Sequence, residues 1–139
     1  MTIVDRTTAV ARTVRANLLR FAETPRDLAG QCGLAAMLVA AALERPAALR
    51  TGFYMKHGRG RLPNRHAWCC VAATIVDATA TQFDARHRAV HVASATVDNR
   101  YIETARGADA IDDIMTNWYG RKLPAYVALA KSLRRRLGA

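Results

Sequence analysis

The segment from Cys32 to Glu44 limits the fold of this chain more than any other part of the sequence. Residues 34–43 are all apolar, so a helix formed here has no polar side to turn toward water. Such a helix belongs in the middle of a domain, with other elements packed around it. These ten residues also fall well short of the ~20 needed to cross a bilayer, so we predict no membrane span.

Helices are predicted on both sides of this central segment. Residues 4–21 have the pattern of an amphipathic helix. Its apolar positions are Val10, Val14, Leu18 and Phe21, and its arginines, Arg15 among them, form the polar side. A short capped turn is expected over residues 24–30, and two further helices over residues 108–118 and 124–137.

Four short runs enriched in aromatic or β-branched residues predict strands, at residues 49–55, 67–71, 74–79 and 90–92. A turn near Ala72 and Ala73 joins the second and third runs into a hairpin. Residues 56–65, rich in glycine and arginine, indicate an exposed basic loop. No repeat or linker divides the 139 residues. We therefore predict one α+β domain over residues 1–139, with the buried helix packed on a small antiparallel sheet and helices at both ends.

The net charge of +10, from 21 Lys and Arg against 11 Asp and Glu, indicates either an acidic partner or a genomic bias toward arginine. The basic residues are spread over several segments and do not alternate with aromatic residues as a base-stacking surface requires. The favoured partner is therefore an acidic protein or peptide, as a substrate or as an immunity protein, and nucleic acid is the alternative.

The three cysteines, Cys32, Cys69 and Cys70, are an odd number and too few for a disulfide framework, so we expect reduced thiols. Adjacent Cys69 and Cys70 lack the spacing of a zinc site, and they project to opposite faces of a strand. We predict no metal and no cofactor. The first residues lack the apolar run of a cleavable signal peptide, which favours a cytoplasmic protein or an effector exported without one.

Cys32, His66 and Asp77 are the residues whose chemistry can be combined. A helix N-terminus and a nearby imidazolium both favour the thiolate form of Cys32. His66 would take up and return a proton while Asp77 holds its tautomer, and a hairpin can make these two residues neighbours. The backbone N–H of Cys32 is the expected oxyanion donor, with Gln31 and Gln82 as the candidate side-chain donors.

Three motifs, Gly30-Gln-Cys-Gly33, His66-Ala-Trp68 and Asp77-Ala-Thr79, occur in an order that resembles the transglutaminase-like branch of the papain-like thiol enzymes. The resemblance covers about residues 28–93 and extends to the run from Ile75 to Asp84, which is similar to the segment after the catalytic histidine in small bacterial members. It implies a papain-like fold and acyl transfer on amides, as in peptidases, deamidases and transglutaminases. It also implies that Cys32 is the nucleophile, His66 the base and acid, and Asp77 the orienting residue.

The sequence departs from this family's pattern in two ways. The interval from His66 to Asp77 is short and requires a tight hairpin, and no glutamine precedes Cys32 at the spacing that papain uses for its oxyanion hole. Trp68 shares a strand face with His66 and is expected to shield the site from water.

The basic loop suggests what the site would act on. Arg59, Arg61 and Arg65 precede His66, so they are expected at the rim of the site and favour an acidic macromolecular substrate. The size and charge of the chain fit a bacterial toxin or effector. Two alternatives stay open: a metal-free ribonuclease toxin that uses His87 and His91, and a non-catalytic basic binding module on the same scaffold.

Overall fold

In the computed structural model of this protein, the described residues are 1–19, 31–55, 64–83, 89–118 and 120–138. They form an α+β structure, as predicted, with four α-helices and a five-stranded antiparallel sheet. The helices are α1 (Ile3–Leu19), α2 (Cys32–Ala42), α3 (Ala108–Asn117) and α4 (Pro124–Leu137). The strands are β1 (Leu49–Tyr54), β2 (Asn64–Val71), β3 (Thr74–Asp77), β4 (His91–Ser94) and β5 (Tyr101–Arg106). The turn predicted over residues 24–30 lies outside the described residues.

The strand order of the sheet is β4-β3-β2-β1-β5, and each neighbouring pair is antiparallel. The β2–β3 hairpin turns at Ala72 and Ala73, as predicted, and both alanines have a left-handed backbone, with φ of 48° and 57°. Positive φ at both central residues is the geometry of the two-residue hairpin turn whose twist matches that of its strands. This turn fixes the register of β2 against β3, and with it the approach of the strand that carries Asp77.

The strand β5 is absent from the sequence-based prediction, although it completes one edge of the sheet beside β1. Its pairing with β1 shifts register between Thr51 and Gly52. A Cβ atom at Gly52 would lie 1.9 Å from the carbonyl oxygen of Ile102, so only glycine permits this close approach.

The helices cover one face of the sheet, and α2 is central among them, as its apolar sequence predicts. It contacts β2, α1 and α4, while α1 also contacts β3 and α3 contacts β1 and β5. On β2, Ala67 and Cys69 face the helices, and the Cys69 thiol donates to the carbonyl of Ala36 over 3.4 Å. Cys70 follows with its side chain half-buried on the other face, as expected for strand neighbours. All three cysteines are free thiols.

A second, smaller cluster lies on the opposite face of the sheet. It consists of Tyr54, Trp68, Ile75 and Tyr101, with Phe83 packed against it. His66 shares this face of β2 with Trp68, so its ring is surrounded by aromatic side chains. Within the described residues, no helix combines the length and the apolar character that crossing a membrane requires.

Candidate active site

Cys32 occupies the first position of α2, as the sequence predicts. Its sulfur accepts a hydrogen bond from the indole N–H of Trp118, with 3.2 Å between Nε1 and Sγ. The indole lies so close to α2 that a Cβ atom at Gly33 would be 2.7 Å from its Cδ1. The glycine after Cys32 is therefore what lets Trp118 reach the thiol.

His66 and Asp77 come together where β2 extends past β3. The pairing of these strands covers Cys69–Val71 of β2, and Asp77 is the last residue of β3. His66 Nε2 lies 2.6 Å from Oδ2 of Asp77, so the two residues that the hairpin makes neighbours are directly hydrogen-bonded.

Asp77 accepts further hydrogen bonds that hold its carboxylate in place. The hydroxyl of Tyr101 donates to Oδ2 over 2.5 Å, and the backbone N–H of Thr79 donates to Oδ1 over 2.9 Å. The Thr79 hydroxyl also donates to Oδ1, over 3.3 Å. Both carboxylate oxygens therefore have donors, as a buried carboxylate requires.

The three groups shift one another's pKa. Burial by itself raises the pKa of the Cys32 thiol, but hydrogen bonds from His66 and Trp118, together with the charge of His66, bring it below its ordinary value. Burial lowers the pKa of His66, but the charge and hydrogen bond of Asp77, and then the contact with Cys32, raise it to about 10. The charge and hydrogen bond of His66 outweigh the burial of Asp77 and hold its pKa below the ordinary range. The arrangement therefore favours a thiolate beside an imidazolium.

The two nitrogens of His66 have different partners. Nε2 faces Asp77, so Nδ1 is the ring nitrogen left to interact with Cys32. The Nε2 of Gln82 lies 3.5 Å from the same Nδ1 and 3.2 Å from the hydroxyl of Thr79. Gln82, a candidate oxyanion donor, is thus brought next to the histidine.

Arg15 corrects the prediction for the first helix. The sequence pattern assigns it to the polar side of α1, but its side chain is buried, with 6% of the residue exposed. Its Nη1 donates to the carbonyl oxygen of Ala78 over 3.0 Å. Burial lowers the pKa of Arg15, and the charge of Asp77 opposes that shift. A guanidinium is tolerated here because the buried carboxylate nearby compensates its charge.

The other predicted site residues have different surroundings in the structure. Trp68 is buried and its ring stacks near that of His66, with centroids 5.8 Å apart and planes inclined by 24°. Gln31 is the residue before α2, and its side chain does not cap the helix. Arg65 lies in β2 rather than in a loop, and pairs with Asp113 of α3 over 3.1 Å. Arg59 and Arg61 lie outside the described residues.

His91, one of the two histidines of the ribonuclease alternative, lies in a charged cluster with Asp98 and Arg100. Its Nε2 lies 2.8 Å from Oδ2 of Asp98 and 3.2 Å from Nη2 of Arg100. Its ring stacks on Tyr101, with centroids 5.9 Å apart. His87 lies outside the described residues.

The candidate site is closed in this structure. The exposed fraction is 3% for Cys32, 0% for His66 and 1% for Asp77. A small cavity between α2, β2 and β3 is lined by Cys32 and Asp77, among other residues.

Several residues beside Cys32, His66 and Asp77 are not predicted from the sequence as site residues, among them Arg15, Thr79, Tyr101 and Trp118. Only Thr79 has a local signal, because an aspartate that accepts the N–H two residues ahead is a known turn motif. The others reach the site from elements distant in the chain.

Within the described residues, no group of three His, Cys, Asp or Glu side chains is arranged to hold a metal ion. Comparisons of the chain with known protein families, with curated proteins and with solved structures found no match.

The opposite pKa shifts of Cys32 and His66 affect stability in opposite directions. The raised pKa of His66 stabilises the fold fully below its ordinary pKa of 6.5, and this contribution is lost as the pH rises toward about 10. The lowered pKa of Cys32 contributes stability above its ordinary value of 9.0, and this contribution is lost as the pH falls through the folded-state pKa. Just below pH 9, a rise in pH therefore removes stability contributed by His66 and adds stability contributed by Cys32.

As the pH rises from about 7 to about 9, we expect the free energy of unfolding of Cys32→Ala to fall by about 1–2 kcal/mol more than that of the wild type. The reason is that only the pH effect of His66 remains in the variant. Urea unfolding at several pH values measures this difference. Cys69→Ala is the matched control, since burial raises the pKa of Cys69 to about 12 and that thiol stays protonated. Parallel stability curves for the wild type and Cys32→Ala would contradict the prediction.

Proposed function

We propose that this protein is a thiol-dependent acyl-transfer enzyme of the transglutaminase-like, papain-like kind. Cys32 is the nucleophile, His66 the base and acid, and Asp77 the residue that orients His66. The observation that carries this proposal is the 2.6 Å contact between His66 Nε2 and Asp77 Oδ2, together with the interactions with His66 and Trp118 that lower the pKa of the Cys32 thiol. An ordinary thiol is only a few per cent ionised at neutral pH, whereas a thiolate held by an imidazolium is ready to attack.

The proposed reaction has two steps. The Cys32 thiolate forms a bond to the carbonyl carbon of an amide, and the carbonyl electron pair moves to oxygen. The tetrahedral species collapses, the C–N bond breaks, and His66 gives its proton to the leaving amine. Neutral His66 then takes a proton from water or from an acceptor amine as that molecule attacks the thioester. Its attack breaks the C–S bond and restores the thiolate and the imidazolium.

The negative charge that develops on the carbonyl oxygen needs hydrogen-bond donors. The backbone N–H of Cys32 is in the first turn of α2, where helical N–H groups have no acceptor within the helix. We assign it the oxyanion role, with Gln82 or Gln31 supplying the side-chain donor. The amide nitrogen of Gln82 lies 3.5 Å from Nδ1 of His66, so this side chain is already beside the proposed base.

The charge of the chain suggests the class of substrate. A net charge of +10 favours an acidic protein or peptide, recognised over a surface and attracted by long-range electrostatics. A bacterial toxin or effector that modifies such a target fits this proposal, and an acidic immunity protein would then be its partner. Substrate must still reach a buried sulfur, so entry requires Trp118 or its neighbours to move away from Sγ.

A simple activated ester tests the proposed chemistry without knowledge of the natural substrate. With p-nitrophenyl acetate at about pH 6, we expect a stoichiometric burst of p-nitrophenol and one acetyl group on Cys32, because ordinary thiols are almost fully protonated there. The thiolate attacks the ester carbonyl, and the bond to the aryl oxygen breaks. Stopped-flow absorbance measures the burst, and peptide mass spectrometry locates the label.

Two variants interpret that experiment. Cys32→Ala should abolish both the burst and the label. Cys70→Ala should leave both unchanged, because Cys70 is only half-buried and burial raises its pKa. No label on Cys32, or labelling of Cys70 at an equal rate, would overturn the proposed function.

A further inference from the structure

We infer that Tyr101 is a positioning residue of the candidate site: its hydroxyl holds the Asp77 carboxylate in the orientation and charge state that His66 requires. This inference rests on the proposed function of Cys32, His66 and Asp77. Tyr101 belongs to β5, a strand that the sequence does not predict, and it lies 24 residues from Asp77 in the chain.

The geometry gives the hydroxyl a specific acceptor. Tyr101 Oη lies 2.5 Å from Oδ2 of Asp77, the same oxygen that lies 2.6 Å from His66 Nε2. Thr79 occupies the other oxygen, Oδ1, through its N–H and hydroxyl. Rotation of the carboxylate would break bonds at both oxygens, so Tyr101 and Thr79 together select the oxygen that faces the imidazole.

The ring of Tyr101 is itself fixed by its neighbours. It makes edge contacts with Tyr54 and Trp68, with centroids 5.2 Å apart in each pair, and it stacks on His91. The register of β5 against β1 places Tyr101 opposite Tyr54. A ring confined on several sides can hold its hydroxyl at one point in space.

The hydroxyl remains a donor over the whole useful pH range. Burial and the charge of Asp77 raise the pKa of Tyr101 well above its ordinary value of 10.0, so the phenol stays protonated. A hydrogen bond donated to a carboxylate favours its charged form. Tyr101 therefore helps to keep Asp77 ionised although it is buried.

Other charged and titratable groups also face this pair. Asp77 is influenced by His66 of β2 and by Arg15 of α1, and it raises the pKa of Cys69. Tyr101 is influenced by Tyr54 and Asp98, interacts with the charge of Arg100, and stacks on the ring of His91 of β4. A phenylalanine at position 101 leaves every one of these groups in place, so the substitution isolates the effect of the hydroxyl.

The test compares the pH dependence of Cys32 alkylation by iodoacetamide in the wild type, Tyr101→Phe and Tyr54→Phe. Tyr101→Phe removes a hydrogen-bond donor from the group formed by Cys32, His66 and Asp77, and this raises the affinity of that group for protons. The pH midpoint of Cys32 alkylation in this variant should therefore move up by about 0.5–1 pH unit. Tyr54→Phe removes a hydroxyl from the same ring cluster and should keep the wild-type midpoint. Peptide mass spectrometry separates Cys32 from Cys69 and Cys70.

The outcomes distinguish this inference from the proposed function. An ordinary thiol profile for Cys32 in the wild type would overturn the proposed function. An activated thiol in the wild type with an unshifted Tyr101→Phe profile would overturn only the role of Tyr101 and make it a structural core residue. Equal shifts in Tyr101→Phe and Tyr54→Phe would also overturn it, because a general loosening of the ring cluster would then explain both.

Discussion

Replacing His66 with alanine is expected to slow the alkylation of Cys32 at about pH 7 by about 3- to 10-fold. Without the imidazolium, burial is left as the main influence on the Cys32 thiol, and its pKa returns to the ordinary range or above. A thiol with a pKa of about 8.5 is ionised in only a few per cent of molecules at about pH 7, so the lowered pKa gives the wild type the larger thiolate fraction. The greater nucleophilicity of the more basic thiolate recovers part of the loss, which keeps the factor modest.

The measurement is the rate of iodoacetamide labelling at Cys32, followed by peptide mass spectrometry. Cys70 in the same sample serves as an internal reference. Burial raises the pKa of Cys70, and His66 is not among the groups that influence it. His66→Gln, which keeps a polar side chain of similar size but cannot carry the charge, should behave like His66→Ala. A labelling rate that is the same in wild type and both variants would exclude the thiolate and imidazolium pair.

The substitution Asp77→Asn is expected to lower the free energy of unfolding by about 3–5 kcal/mol at neutral pH, and the melting temperature by about 10–20 °C. Two buried cations, Arg15 and the imidazolium of His66, lose their counter-charge. The new amide also presents hydrogens where Tyr101 and His66 both donate. His66 can relieve part of the cost by releasing its proton, but Arg15 cannot.

Thermal and urea unfolding measure this loss, and pH gives it a signature. The lowered pKa of Asp77 contributes stability above its ordinary value of 3.8, and the wild type loses that contribution as the pH falls through the folded-state pKa. The difference between wild type and Asp77→Asn should therefore narrow at acid pH. Asp112→Asn is the control. Asp112 pairs with Arg134 at the surface, where the two side chains are 65% and 45% exposed respectively, so the free energy of unfolding should fall by less than about 1 kcal/mol. Equal losses of stability in Asp77→Asn and Asp112→Asn would show that the buried charge of Asp77 contributes no more than an exposed ion pair.

The positions of most helices and strands follow from local patterns in the sequence. The apolar run of α2 predicts both its burial and its central place, and the turn at Ala72 and Ala73 predicts the hairpin that brings Asp77 back beside β2. These are short-range properties, because periodicity and turn chemistry act over a few residues. The same short range explains why Cys32 can be assigned to a helix start from sequence alone.

The rest of the site depends on contacts between distant segments. Arg15 has the spacing of a solvent-facing residue on α1, but it is buried beside distant partners, the carbonyl oxygen of Ala78 and the charge of Asp77. Tyr101 lies in a strand, YIETAR, that lacks regular alternation of apolar and polar residues and has a register shift, so a pattern search does not find it. Trp118 follows α3 and reaches Cys32 across 86 residues. No local rule predicts such a contact, since three-dimensional packing alone creates it.

The contact between Trp118 and Cys32 also sets an order of events during synthesis. The ribosome completes α2 and the first four strands well before it reaches Trp118, so the emerging chain carries Cys32 without its indole partner. Only when Trp118, the residue after α3, packs against the start of α2 does the thiol acquire the hydrogen bond from the indole. The hydrogen bond from Trp118 to Cys32 is thus the last of these interactions to become available, because His66 and Asp77 both precede Trp118 in the chain.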